Sequence, residues 1–513
     1  MDRFYNLIDK TVPVWAFIFL GSVLSGVIYA AQMLDFSYLD NTLLNAAATR
    51  SLHITLMLYG PVMLALSLLP FALFAKDGLD LRDAVEPLRN YFLLWHLFLF
   101  AAVISISLGI QRGLPFYDFA YELNFILAAS GIFYIAAVFK TIRHYKITPL
   151  WVKVSKAVLF SAPIALLILM NPEIGQVEKT LVGPHGDNTL GMSFTIIPLF
   201  YLIIKLHAKE NFKPKWHIFW IIPLAAYVVS VGTRIFRGTL SYEEEWFYQW
   251  LTFAYAPLLI KWCRDAKITL KETPYLVISI WAFLFVMIQG NILFIPEIRW
   301  PFHKNDLIIA HAHAAMGIGI FFMALSVLKY FYKIPKAFLH FWLTVIGLMF
   351  FALTLAGFEE AGVFHVDIIS MWHIRLAAGM LGVAGIVYFI VKSVEMPKLS
   401  LLRVYHINGF LSDGIGALVL FLAAPFLFKL LGFSFVAHYY IVFGFMGFVG
   451  ILHFMGIYKE EHLFAYLSAL ARIITGTIFF SLFYLDLVDA LGLLVGFYDI
   501  TYALIYLIFR SRL

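Results

Sequence analysis

The chain has 513 residues, 62% of them hydrophobic and only 13% charged, with a formal net charge of +6. Soluble globular chains are about half apolar and about a quarter charged. The composition therefore excludes a soluble enzyme, a disordered chain and, despite the basic balance, a nucleic-acid binder. What remains is an all-α polytopic membrane protein whose first partner is the lipid bilayer.

Met1–Lys10 carries acids as well as bases, and the apolar run after it is long enough to span, so no cleaved signal peptide is expected. Runs of about 20 apolar residues match a bilayer core of about 30 Å. They predict spans over 13–32, 51–75, 90–111, 119–140, 153–171, 186–206, 216–233, 247–262, 274–295, 306–331, 335–357 and 369–392. Four additional C-terminal transmembrane helices follow over 406–430, 434–457, 463–485 and 487–509. Residues 1–400 form the twelve-helix core and hold the polar residues of chemical interest. Residues 401–513 read as an appended helical region of unknown role, apolar and poor in ionisable groups within its spans.

With the N-terminus inside, the connections Lys76–Arg89, Lys140–Lys146, Lys205–Lys215, Lys261–Lys271, Lys329–Lys336, Lys392–Arg403 and Lys459–His462 fall on the cytoplasmic side, and nearly all are basic or mixed-basic. Asp35–Asp40, Tyr242–Glu245 and Glu359–Asp367, on the opposite side, are acidic or neutral. The positive-inside bias then puts both termini in the cytoplasm, in a bacterial or archaeal inner membrane. A lone Cys263 excludes disulfides, Cys-rich zinc sites and a C-x-x-C-H attachment of c-type heme.

Ionisable residues at membrane depth are costly and so point to function. In His311-Ala312-His313, two positions on one helix point about 200° apart, so a single helix offers an imidazole to each of two neighbours. Helix-end histidines bonded to nearby groups are the plainer explanation, but small flanking residues favour a flat macrocycle. His53 lies at the outer end of the second span, on the same side of the membrane. A low-spin heme takes two axial ligands, which His53 and one of the pair supply; the other would hold a second heme with one open face.

Leu52-His53 followed by Gly60, the run from Gln289-Gly290 through His303 and Asp306 to His311 and His313, and Met371-Trp372-His373-Ile374-Arg375 together resemble subunit I of the heme–copper oxidase and nitric oxide reductase superfamily. The cbb-type catalytic subunit is the nearest in pattern, and the resemblance covers roughly residues 1–395. It implies two b-type hemes: His53 and His313 as axial ligands of the low-spin iron, His311 as the ligand of the high-spin iron. It also implies His303 and Asp306 near the propionates, with Arg375 paired to them.

The chain departs from that family at the second metal. In Gly186-Asp187-Asn188-Thr189-Leu190-Gly191, Asp187 stands where a copper-binding histidine is expected; Arg234-Ile235 replaces a His-His pair, and Gln289 replaces a glutamate. Copper favours imidazole and oxygen ligands suit harder ions, so copper is not expected. Either Asp187 with some of Glu243, Glu244, Glu245, His185 or Glu359/Glu360 holds a non-heme iron, or no second metal exists. In the second case Arg234 or Arg237 would supply a fixed positive charge that stabilises anionic intermediates. Plainer roles are a solvated outer loop for Glu243–Glu245 and an N-cap or an ion pair with Arg234 for Asp187.

Asp187, Arg234 and Gln289 are thus the candidate catalytic residues of a nitric oxide reductase-like oxidoreductase, which passes electrons from a low-spin to a high-spin heme and reduces NO to N2O. The alternatives are a divergent terminal oxidase that reduces O2 to water, a non-turnover heme protein acting as electron carrier or gas sensor, and a heme-free transporter. Lacking a c-heme motif, the chain is expected to draw electrons from a cytochrome c-like or other donor subunit on the outer face.

Overall fold

A computed structural model describes residues 2–40, 42–112, 117–171, 186–209, 212, 218–238, 240–293, 295–302, 305–393, 400–430, 435–437, 439–459, 461–485, 488 and 490–510. It is 83% helical, without strands among the described residues. A helix stands over each predicted span, and among the described residues twelve helices are long and apolar enough to cross a bilayer. Phe17, Leu93, Phe100, Ile132 and Trp281 are exposed on helix faces, where a lipid tail rather than water satisfies them. The span expected over 247–262 is broken: helix Tyr242–Trp250 gives way to a tighter turn over Leu251–Ala254 before helix Tyr255–Asp265.

The chain divides into two compact units, Met1–Phe36 with Ala48–Val394, and Ser37–Ala47 with Glu395–Leu513. In the first unit, helices Asp2–Leu34 and Ile368–Ser393 approach closely because Gly379 and Gly382 present no side chain to Val27 and Val23. Small residues are the usual means of close helix contact in lipid, where no hydrophobic effect drives helices together. Lys76 caps another helix: its Nζ donates to the carbonyls of Lys205, Leu206 and Ala208 at 2.7–2.9 Å, three acceptors that the end of helix Gly186–His207 would otherwise leave open.

Two widened turns interrupt the helices that carry the histidines. Leu58–Val62 contains Pro61, which has no N–H to donate, and Gly60 leaves helical geometry there. The second, His313–Ile320, begins at a histidine. Wide turns free carbonyls from the helical ladder, and neighbouring side chains take them up: Trp95 Nε1 donates to Tyr59 O at 2.6 Å, Trp342 Nε1 to Gly317 O at 2.8 Å and Ser279 Oγ to Gly319 O at 2.5 Å.

The second unit holds helices Leu401–Gly409 and Gly416–Leu430, joined by a widened turn Phe410–Ile415, then Tyr439–Lys459, His462–Tyr484 and Ala490–Phe509. The expectation that residues 401–513 are poor in ionisable groups within their spans is not met. His406, Asp413, His453 and Arg472 are all buried there. Each is isolated among apolar residues in sequence, so average hydropathy hides them; the fold brings them together.

Candidate heme-binding site

Among the described candidates, the structure brings His53 to His313 and Asp306 to Arg375. His53 sits past the middle of helix Ala46–Met57, where its ring lies against Gly26 of the first helix; a Cβ at Gly26 would fall 2.8 Å from His53 Nδ1. The absent side chain is therefore what makes room for the imidazole. His53 Nδ1 lies 2.9 Å from Ser22 O, and Ser22 Oγ donates to His53 O at 2.7 Å. A carbonyl can only accept, so Nδ1 carries the hydrogen and the His53 Nε2 lone pair is free to act as a ligand.

His313 is fixed in the same way. Its Nδ1 donates to Ile309 O at 2.9 Å, again leaving Nε2 as the basic nitrogen. The His53 and His313 rings are 6.3 Å apart between centroids and 22° from parallel. The Nε2 atoms of the two rings are the nitrogens left to hold a metal. Backbone carbonyls that orient the far nitrogen of each ring are the usual outer-shell support of a metal-binding histidine. The donor set and its tautomers thus fit a bis-imidazole iron.

His311 leaves the same helix in the opposite sense, as its two-residue offset requires. Its Nδ1 is buried without a hydrogen-bond partner, and its ring lies against Gly290, where a Cβ would stand 3.2 Å from Cε1. Beside Gly290, the side-chain oxygens of Gln249, Gln289 and Asn291 are also buried and unpartnered among the described residues. Gln249 Nε2 donates to Gly290 O at 3.1 Å. Burying an acceptor with no donor costs about 1–3 kcal/mol, so this cluster suits a bound group that donates hydrogen bonds. No sequence pattern marks Gln249, which reaches Gly290 from a helix 41 positions away.

Asp306 and Arg375 form a buried ion pair. The Arg375 guanidinium also stacks 4.0 Å from the Trp372 ring centroid, and its Nε is buried without a partner. Asn305 caps the helix that carries Asp306, and Glu360 Oε2 accepts from Asp306 N at 2.9 Å. The unused Arg375 donor fits an additional anionic group such as a propionate.

The candidate second-metal residues are dispersed in role. Glu244 completes a capping box with Ser241 and pairs with exposed Arg237; Glu243 stands in the same first turn, and Glu245 is buried. Glu359 Oε2 accepts from Val366 N at 2.8 Å. Asp187 opens helix Gly186–His207 and Arg234 lies in the last turn of helix Ile218–Arg237, but their side chains, with His185 and His303, lie outside the described residues. No group of three or more metal-ligating side chains occurs among the described residues. No family model and no curated protein sequence matches the chain.

Proposed function

We propose that this is a nitric oxide reductase-like respiratory oxidoreductase of a bacterial or archaeal inner membrane, with both termini in the cytoplasm. In this proposal a cytochrome c-like or other donor subunit supplies it with electrons from the outer face. The observation that supports it most is the His53–His313 pair, held 6.3 Å apart with each Nδ1 bonded to a backbone carbonyl. Bound b-type heme would supply one-electron transfer at a low-spin iron between those two rings and a gas-binding high-spin iron on His311, where two NO, two electrons and two protons give N2O and water.

The chain's own contribution follows from its side chains. His53 and His313 hold fixed tautomers, so their ligand nitrogens need no reorganisation. Arg375, already paired with Asp306, keeps a buried Nε–H that would hydrogen-bond a propionate. Gln249 and Gln289 put neutral amide groups beside His311, where a carboxylate would have brought a negative charge. A neutral wall suits an uncharged diatomic substrate entering a low-dielectric site, and its unpaired amide oxygens would accept hydrogen bonds from water or a protonated intermediate.

An absorption spectrum of the purified full-length protein is the first test: a Soret band is expected, and a colourless preparation in full yield would refute heme binding and favour a transporter. His311→Ala is expected to abolish the CO-reactive high-spin signal and to leave the low-spin spectrum. Survival of the CO difference signal would overturn that ligand assignment. NO consumption under reducing conditions, with non-heme iron present, supports the reductase. Copper at one per chain together with O2 consumption would instead establish the oxidase, and heme with neither activity the carrier or sensor.

A further inference from the structure

The second unit contains a buried polar chain of its own. Arg472, 2% exposed, donates to Asp413 through Nη2 and to Asp499 through Nη1, the latter at 2.8 Å. Its guanidinium lies 4.1 Å from the ring centroid of Tyr502 and 5.2 Å from that of Tyr498. Asp413 Oδ2 is 3.9 Å from His453 Nε2, and Ser468 Oγ is 2.7 Å from the same nitrogen. His453 Nδ1 then meets His406 Nδ1 at 3.1 Å. Both histidines are wholly buried, and His406 Nε2 has no hydrogen-bond partner.

Glycine builds this meeting twice. His406 and Gly409 on one helix, and His453 and Gly456 on another, repeat His-x-x-Gly. Each ring lies on the other helix's glycine: a Cβ at Gly409 would fall 2.4 Å from His453 Nε2, and one at Gly456 would fall 2.2 Å from His406 Cε1. Any larger residue at either position would drive the rings apart.

Charge and tautomer arithmetic then define what the chain can carry. Two carboxylates against one guanidinium leave one uncompensated negative charge, and an ion at membrane depth costs at least about 2.5–3.5 kcal/mol. The other groups facing the cluster, Tyr405, Tyr498, Tyr502 and Ser468, supply no positive charge. One labile proton is therefore shared among Asp413, Asp499, His453 and His406. Two neutral imidazoles that meet through Nδ1 must be opposite tautomers, one donating and one accepting. Switching them carries a proton along: a hydronium ion gives up an O–H proton to His406 Nε2 as the His406 Nδ1–H breaks, that proton bonds His453 Nδ1 as the His453 Nε2–H breaks, and the proton released passes through the Ser468 hydroxyl or a water to the Asp413 carboxylate 3.9 Å away.

Both ends of this chain lead outward. His406 lies beside the Glu461 backbone, in the turn between helices ending at Lys459 and beginning at His462, where Tyr506 hydroxyl also donates to His462 O at 3.0 Å. At the other end, a cavity of about 370 Å³ begins at Asp413, Arg472 and Asp499 and continues along Phe428, Tyr439 and Phe479. Those last three stand toward the opposite ends of their helices from Lys459. Apolar walls give a hydrated metal cation no replacement ligands, whereas a transient file of water can pass a proton.

We propose that the C-terminal unit is a proton path, running from the Lys459–His462 turn through His406, His453 and Asp413 to this cavity. It is independent of heme. The test is proton flux into vesicles of phosphatidylcholine carrying the full-length protein and a trapped pH dye, driven by a potassium diffusion potential with no electron donor or NO present. Wild type is expected to acidify the lumen at least tenfold faster than protein-free vesicles, at the same rate with sodium or choline outside. Asp413→Asn and His406→Gln are expected to return the flux to the protein-free level, and Ser468→Ala to lower it several-fold. Each variant's elution as a single folded species is checked first; should Asp413→Asn fail to fold, His406→Gln and Ser468→Ala carry the test. Wild-type flux at the protein-free level, or full flux in a folded His406→Gln protein, overturns the proposal.

Discussion

Gly26→Ala tests the seat of His53 without touching a ligand. The added Cβ would stand 2.8 Å from His53 Nδ1 and 3.2 Å from Cε1, so the ring must retreat by about half an ångström to reach ordinary contact distance. The retreat stretches the 2.9 Å bond to Ser22 O, worth about 1 kcal/mol net, and turns the Nε2 lone pair away from His313. Losing such an outer-shell contact typically costs about 10–100-fold in metal affinity. The expected result in the purified variant is a smaller or shifted low-spin heme signal by electron paramagnetic resonance, with the CO-reactive high-spin signal retained, because His311 rests on Gly290 instead. Total heme by pyridine extraction should fall toward half. An unchanged low-spin spectrum at full heme content would refute the assignment of His53, since a ring displaced at its root cannot leave its axial bond unaltered.

Arg375→Met should destabilise the first unit by about 3–5 kcal/mol, the usual cost of leaving a buried carboxylate without its partner; the thermal midpoint in detergent should fall, and Asp306→Asn in the same chain should recover part of the loss. Lys76→Met removes three donors from the end of helix Gly186–His207 and should cost about 2–3 kcal/mol at about 1 kcal/mol per bond, read as faster proteolysis near residue 208. Asp367 precedes helix Ile368–Ser393, and the Ser370 hydroxyl, with the Ile369 and Ser370 N–H groups, holds its carboxyl below the ordinary value. With the folded value depressed, its contribution is present above the unfolded carboxyl value and disappears as pH falls through the folded one. Asp367→Ala should therefore lower the melting temperature at neutral pH and make no difference below the folded value.

Much of the fold was legible because the bilayer imposes one rule on every span: an apolar length long enough to satisfy its own backbone. The helix start at Tyr242 was not legible, because Ser241 and Glu244 act through local capping, which hydropathy averages away, and the tighter turn over Leu251–Ala254 leaves the apolar pattern unbroken. At the site, His311-Ala-His313 could be read for direction because two residues on one helix have a fixed angular offset. The partners of those rings could not. Ser22, Gly26, Gly290 and Gln249 come from other helices, and only the packing shows that a glycine opposes His53 and another His311, or that an amide meets Gly290. The same reason hides Arg472, whose partners Asp413 and Asp499 lie 59 and 27 positions away.

The two units use one packing device for two different chemistries. In each, imidazoles lie on glycines of neighbouring helices: His53 on Gly26, His311 on Gly290, His453 on Gly409 and His406 on Gly456. What differs is the partner of Nδ1. In the first unit His53 and His313 bond to backbone carbonyls, which cannot donate, so each ring has one allowed neutral tautomer and a permanent lone pair on Nε2. Such a ring is suited to hold a metal and unsuited to pass a proton. In the second unit Nδ1 meets Nδ1, and either ring can donate, so the pair has two tautomeric states of similar hydrogen bonding. That pair is suited to pass a proton, and it offers no fixed lone pair to a metal. His311, whose Nδ1 has neither kind of partner, is the least constrained of the set.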